Sequence, residues 1–162
     1  MRYTVNGPQG YYYEEIEIGD VQVTQGRTIT EADIVNFGGI TGDFNPLHFD
    51  AEYTKNAFPN GQRMAHGMLV LSFAIGLVNQ LGTAIGTVLA FNTMTINFYR
   101  SVAIGDTIRV RITVTDKRED NERPGGWITQ QFEILNQRNE VIQDGRWGIM
   151  FAYKPKDANS PA

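Results

Sequence analysis

In the stretch TIRVRITVTD, Ile108, Val110, Ile112 and Val114 share one side of an extended chain, and Arg109, Arg111, Thr113 and Thr115 share the other. That two-residue period predicts a strand with one face buried. MTINFYR repeats it more weakly, with Met94, Ile96 and Phe98 alternating against Thr95, Asn97 and Tyr99. The segment ERPGG reads as a turn, and WITQQFEIL after it aims Ile128, Phe132 and Ile134 one way. A last strand carries Trp147, Ile149, Phe151 and Tyr153, and a shorter one is expected in VQVTQGRTIT near the start. Before these strands, HGMLVLSFAIGLVNQLG breaks the alternation. Met68, Leu69, Val70, Leu71, Phe73, Ile75, Leu77, Val78 and Leu81 cover nearly the whole circumference of a helix of about four turns. A helix apolar all round belongs inside a protein, so the strands are expected to wrap it.

Between the first strand and that helix the pattern predicts two short helices. Thr30 followed by Asp33 forms a capping box for a helix from Glu31 to about Phe37, which Gly38 and Gly39 are expected to end. Pro46 pushes Asn45 out of the helical region, and Asp50 can cap a second helix from Ala51 to about Ala57. The order of elements indicates an α+β protein. An antiparallel sheet curled over one long buried helix is the hot-dog fold, and dimerisation would cover the remaining sheet edge. A single domain is expected over residues 1–153, followed by a frayed tail, KPKDANSPA, over 154–162.

Composition narrows the function classes. The 162-residue length suits one domain with a working core. With 14 Lys and Arg against 18 Asp and Glu the net charge is −4, which argues against a general nucleic-acid binder. The chain has no cysteine, which excludes disulfides, thiolate nucleophiles and cysteine-based metal sites. No secretory h-region is visible at the N-terminus, and the apolar run from Gly67 to Val78 is too short to span a bilayer, so a cytoplasmic protein without membrane contact is expected.

Candidate chemistry concentrates in TGDFNPLHFD, Thr41 to Asp50. Asp43 and His48 are separated by a turn that Pro46 stiffens, so both side chains can face one cleft with a water between them. Such a pair can take a proton from water and return one to carbon. In the segment Ala65 to Gly67, Gly67 falls in the first turn of the apolar helix, where backbone N–H groups lack partners and the helix end is positive. A carbonyl oxygen gaining charge would be stabilised there. Each residue also has a plainer reading. Asp43 and His48 taken singly suit a turn, and Gly67 suits close packing. A metal site from Asp43, His48 and His66 matches no defensible spacing, Arg109 and Arg111 suit a solvated sheet face, and Tyr11, Tyr12 and Tyr13 suit a core edge or dimer contact.

FGGITGDFNPLH, Phe37 to His48, resembles the hydratase 2 motif of the MaoC-like, R-specific enoyl-CoA hydratases, and AHGML, Ala65 to Leu69, resembles that family's second block. In register are an aromatic residue, an aliphatic one, Thr-Gly-Asp, any residue, Asn-Pro, an aliphatic residue and His. The chain departs where the family tends to place Ala or Ser six residues after the His, since Thr54 stands there. The resemblance covers roughly Tyr13 to Tyr153, with the strands matching in pattern only. It implies a hot-dog dimer that adds water reversibly and in syn fashion to a trans-2-enoyl-CoA thioester, giving the (3R)-3-hydroxyacyl product without a metal or redox cofactor.

Carried onto this chain, the resemblance assigns Asp43 and His48 to activating the water and shuttling its proton. It assigns Gly67 to donating its N–H to the thioester carbonyl, and Asn45 to orienting the loop. His66 would brace the helix start. Met68 is expected at the substrate, and Arg63 and Arg100 are candidates for the CoA phosphates because they flank these segments. The serine that some relatives carry in the long helix aligns with Ile75, and Ser72 is a poor substitute. A hot-dog thioesterase and a non-catalytic acyl-CoA-binding module are the competing readings. Chain length, branching and the choice between CoA and acyl carrier protein are set by pocket side chains such as Leu69, Phe73, Leu89 and Phe91.

Overall fold

The computed structural model describes residues 10–155. Two short strands, β1 (Val21–Val23) and β2 (Arg27–Thr28), lead into helices α1 (Glu31–Thr41), α2 (Pro46–Phe49), α3 (Ala51–Ala57) and α4 (Gly67–Asn79). Four long strands follow: β3 (Val88–Phe98), β4 (Thr107–Arg118), β5 (Gly125–Leu135) and β6 (Val141–Ala152). They form an antiparallel sheet ordered β1-β4-β5-β6-β3, with β2 also paired to β4. The chain crosses from β3 to β4 without pairing them, and β3 instead pairs with β6 on the outer edge. This antiparallel sheet with α4 packed on its inner face is the hot-dog arrangement of an α+β protein.

Period-two alternation explains the inner face. Ile108, Val110 and Ile112 of β4, with Phe132 and Ile134 of β5, are buried in one cluster against Leu69, Val70, Leu71, Ala74 and Leu77 of α4. Each of the larger side chains, once fully buried, contributes about 1.5–3 kcal/mol. Trp147 of β6 stacks on Phe132 at 4.4 Å and donates its indole N–H to Gln130 Oε1 at 2.7 Å, which satisfies both buried polar groups.

Three expectations change. The first helix does not stop at Gly38. It runs to Thr41 and is closed by Gly42, the residue with the left-handed φ of 76°. Gly38 is helical because the ring of Phe49 seats against it: a Cβ there would lie 2.4 Å from Phe49 Cζ. The Thr30–Asp33 capping box at the other end is present in both directions. Second, α4 is not enclosed all round. Met68, Ser72, Ile75, Gly76 and Asn79 form an exposed stripe at helical spacing. Third, Phe98 at the end of β3 is 54% exposed, whereas Met94 and Ile96 pack on the core. The sheet wraps one side of the helix, and among the described residues no further layer covers the other.

The tail expectation falls mostly on 156–162, outside the described residues, as do residues 1–9. Lys154 is held by Glu15 through an ion pair at 2.8 Å. No helix among the described residues is long and apolar enough to cross a membrane.

Candidate active site

The loop that follows α1 is built by local hydrogen bonds. Asn45 caps α2, its Oδ1 accepting from Leu47 N–H at 3.2 Å, and Pro46 occupies the first helical position, where its missing N–H costs nothing. This short helix has no counterpart in the sequence pattern, yet it is what turns His48 inward. Asp50 then caps α3 through two backbone N–H groups at 2.9 Å. Thr54 is fully buried, and its hydroxyl donates back to the carbonyls of Asp50 and Ala51. Its departure from the motif therefore leaves no unpaired polar atom.

His48 and His66 lie face to face, ring centroids 3.7 Å apart, and both are buried. Each ring is tied to a backbone carbonyl. His48 Nδ1 is 2.6 Å from Met64 O, and His66 Nε2 is 2.9 Å from Asp43 O. A carbonyl only accepts, so each of these nitrogens carries a proton. The consequence for His48 is that Nε2 presents a lone pair. It faces Asp43 Oδ2 at 3.9 Å, and the carboxylate is half exposed. Burial pushes the pKa of His48 below its ordinary value, and the neighbouring His66 adds to this, while the Met64 carbonyl and the Asp43 charge oppose it. His48 is thereby kept in its basic, neutral form.

Beside His48, a cleft of about 360 Å³ is lined by Leu47, Met64, Gly67, Phe98, Arg100 and Gln143 among others. Gly67 opens α4, and a Cβ at this position would lie 2.7 Å from Phe98 Cε1, so any larger residue would have to push that ring aside. Close packing thus explains the glycine without excluding a role for its N–H. His66 precedes it as the helix N-cap but makes no side-chain cap bond, its Nε2 being engaged by Asp43 O.

The structure thus brings Asp43, Asn45, His48, His66 and Gly67 together. It keeps others apart. Met68 sits on the exposed stripe of α4, and Ser72 donates to Met68 O at 2.7 Å instead of reaching the cleft. Arg63 is bound in a two-pronged ion pair with Glu31 and does not line the cleft, whereas Arg100 does. Gln143 was missed from the sequence because its approach to Gly67 spans 76 positions and carries no local signal.

Ligand atoms of Asp43, His48 and His66 lie within 4.8 Å of one another. A shared ion would have to lie near both ring planes, along the lone pairs, and the stack sets those planes apart. The arrangement suits a bridging water better. A water at about 2.8 Å from both His48 Nε2 and Asp43 Oδ2 subtends roughly 90°, somewhat tighter than the tetrahedral angle but with both hydrogen bonds at normal length.

Residues 15–130 match the family model of the MaoC like domain. The chain belongs to the MaoC-like family. This MaoC-like chain is 38% identical over 124 residues to Protein MaoC of Klebsiella aerogenes, a match covering 72% of this chain but only 36% of that longer protein. It is 34% identical over 106 residues to the (R)-specific enoyl-CoA hydratase of Rhodospirillum rubrum, covering 65% of this chain and 70% of that one. Among solved structures, the monoamine oxidase regulatory protein of Archaeoglobus fulgidus superposes with a TM-score of 0.83 at 36% identity, over 91% of this chain and 98% of that one.

Proposed function

We propose that this MaoC-like protein is an (R)-specific enoyl-CoA hydratase, adding water reversibly across a trans-2-enoyl thioester. The observation that carries the reading is the neutral His48, its free Nε2 aimed at Asp43 Oδ2 across 3.9 Å, beside the N-terminus of α4. Water held between the two gives one proton to His48 Nε2 as its oxygen bonds to the β-carbon. The alkene electron pair moves onto the thioester oxygen, where the Gly67 N–H and the positive helix end stabilise it. The electrons then return to form the bond to the α-carbon, which takes the proton back from the Asp43–His48 pair. Both new bonds form on the face turned toward that pair, so the addition is syn. Asn45 holds the loop in place, His66 positions Asp43 through its backbone carbonyl, and Arg100 at the cleft offers a cation to the CoA phosphates.

The reading includes a homodimer. Edge strand β3 exposes Val88, Leu89 and Phe91, and Val88 and Phe91 line one apolar cleft with Ile75 of the α4 stripe. An apolar edge of this kind calls for a partner, and a second copy fits because both elements present the same unpaired surface. The solution mass is expected at twice that of the chain, and a monomer at micromolar concentration would remove this part.

Mixing the protein with crotonyl-CoA is expected to bleach the enoyl absorbance without releasing free thiol. Thiol release would point to a thioesterase, and tight binding without bleaching to a non-catalytic module.

A further inference from the structure

Gln143, near the start of β6, is 2% exposed, and its Nε2 donates to Gly67 O at 3.0 Å. Its Oε1 is buried with no hydrogen-bond partner. Directly across the ladder, Phe98 of β3 is the register partner of Gln143, and the Phe98 ring covers the Cα of Gly67. Two adjacent strands therefore close on the first residue of α4, one through a hydrogen bond and one through an aromatic face. For packing alone, an apolar side chain of the same length would serve better, since a buried acceptor without a donor costs stability. What glutamine supplies and methionine cannot is the N–H to Gly67.

We propose that Gln143 is a positioning residue: by holding the Gly67 carbonyl it fixes the Gly67–Met68 peptide and, across the Gly67 Cα, restrains the φ and ψ that set the direction of the Gly67 N–H into the cleft. Gly67 has no side chain to restrain its backbone, and the helix supplies no acceptor for its N–H. The hydrogen bond from the Gln143 side-chain N–H anchors the carbonyl on the far side of the same residue. A donor that must meet charge appearing only during reaction has to be aimed before the substrate arrives. This role rests on the hydratase reading for its effect on rate, but not for its effect on the Gly67 backbone.

The test compares Gln143→Met with Gln143→Glu. Met removes the donor and the orphan acceptor together, so thermal stability is expected to hold or rise, while kcat for crotonyl-CoA falls about 10- to 100-fold with KM little changed. Glu keeps the shape, and when protonated its O–H can donate to Gly67 O. The activity ratio of the Glu variant to the Met variant should therefore rise as pH falls, which a merely structural side chain would not produce. Without any ligand, the Gly67 amide resonance should shift and exchange faster in the Met variant than in the unsubstituted protein. An unmoved Gly67 resonance, or a fall in kcat matched by an equal loss of folded protein, would overturn the positioning role whether or not hydration is observed. Absent hydration in the unsubstituted protein with a shifted Gly67 resonance would sink the hydratase reading alone.

Discussion

The sheet and the loop after α1 bury their atoms for opposite ends. Between β4, β5, β6 and α4 the buried groups are almost all apolar, and Phe132, Ile108, Val110 and Ile134 reach zero exposure. Around the loop from Gly42 to Phe49 and the first residue of α4, polar side chains are buried and each is tethered to a backbone carbonyl: His48 to Met64 O, His66 to Asp43 O, and Gln143 of β6 to Gly67 O. Apolar burial is non-directional and stabilises without fixing an atom's position. Hydrogen bonds add little net stability but fix direction. One region therefore holds the molecule together and the other aims two titratable groups and an amide.

This division can be broken most sharply from the polar side. His48→Ala or Asp43→Asn is expected to cost about 10²- to 10⁴-fold in crotonyl-CoA hydration, with thermal unfolding shifted by no more than a few degrees. A variant that retained the full rate would remove these groups from the chemistry, and one that lost its fold would show that the loop also carries stability. Phe132→Ala is the converse substitution. Its cavity beside Trp147 should cost about 3–5 kcal/mol in denaturant unfolding, while the fraction still folded hydrates at an unchanged rate. A specific loss of kcat in that variant would show that the two regions are coupled.

A smaller effect sharpens the comparison. The folded His48 resists protonation that the unfolded chain accepts at the ordinary value near 6.5. Its contribution to stability is therefore intact above that value and is lost as pH falls toward the depressed folded pKa. Hydration needs the neutral ring, so the acid limb of kcat/KM should lie below pH 6.5. A limb at or above that value would mean that burial does not govern this histidine.

Legibility in the sequence follows the same line. The β4 face from Ile108 to Val114 was readable because burial repeats every second residue, and the caps at Thr30 and Asp50 were readable because their partners lie within three positions. The Asp43–His48 juxtaposition was readable through a motif whose turn is itself local. Gly38 misled because a glycine that looks like a stop signal was making room for Phe49, a packing partner in another helix. The α4 stripe misled because an apolar residue facing its own sheet and one facing another surface look alike in a single chain. Arg63 flanks the right segment but is taken by Glu31, and Gln143 reaches Gly67 only once β6 is paired to β3.

The most direct measurement is the stereochemistry of hydration in D₂O, read by NMR and chiral analysis of the product from crotonyl-CoA. A water held on one face by Asp43 and His48 predicts the (3R)-hydroxyl with a single deuterium at C2, delivered from the same side as the oxygen. A (3S) product, anti delivery of the deuterium, or no consumption of the enoyl thioester would contradict it.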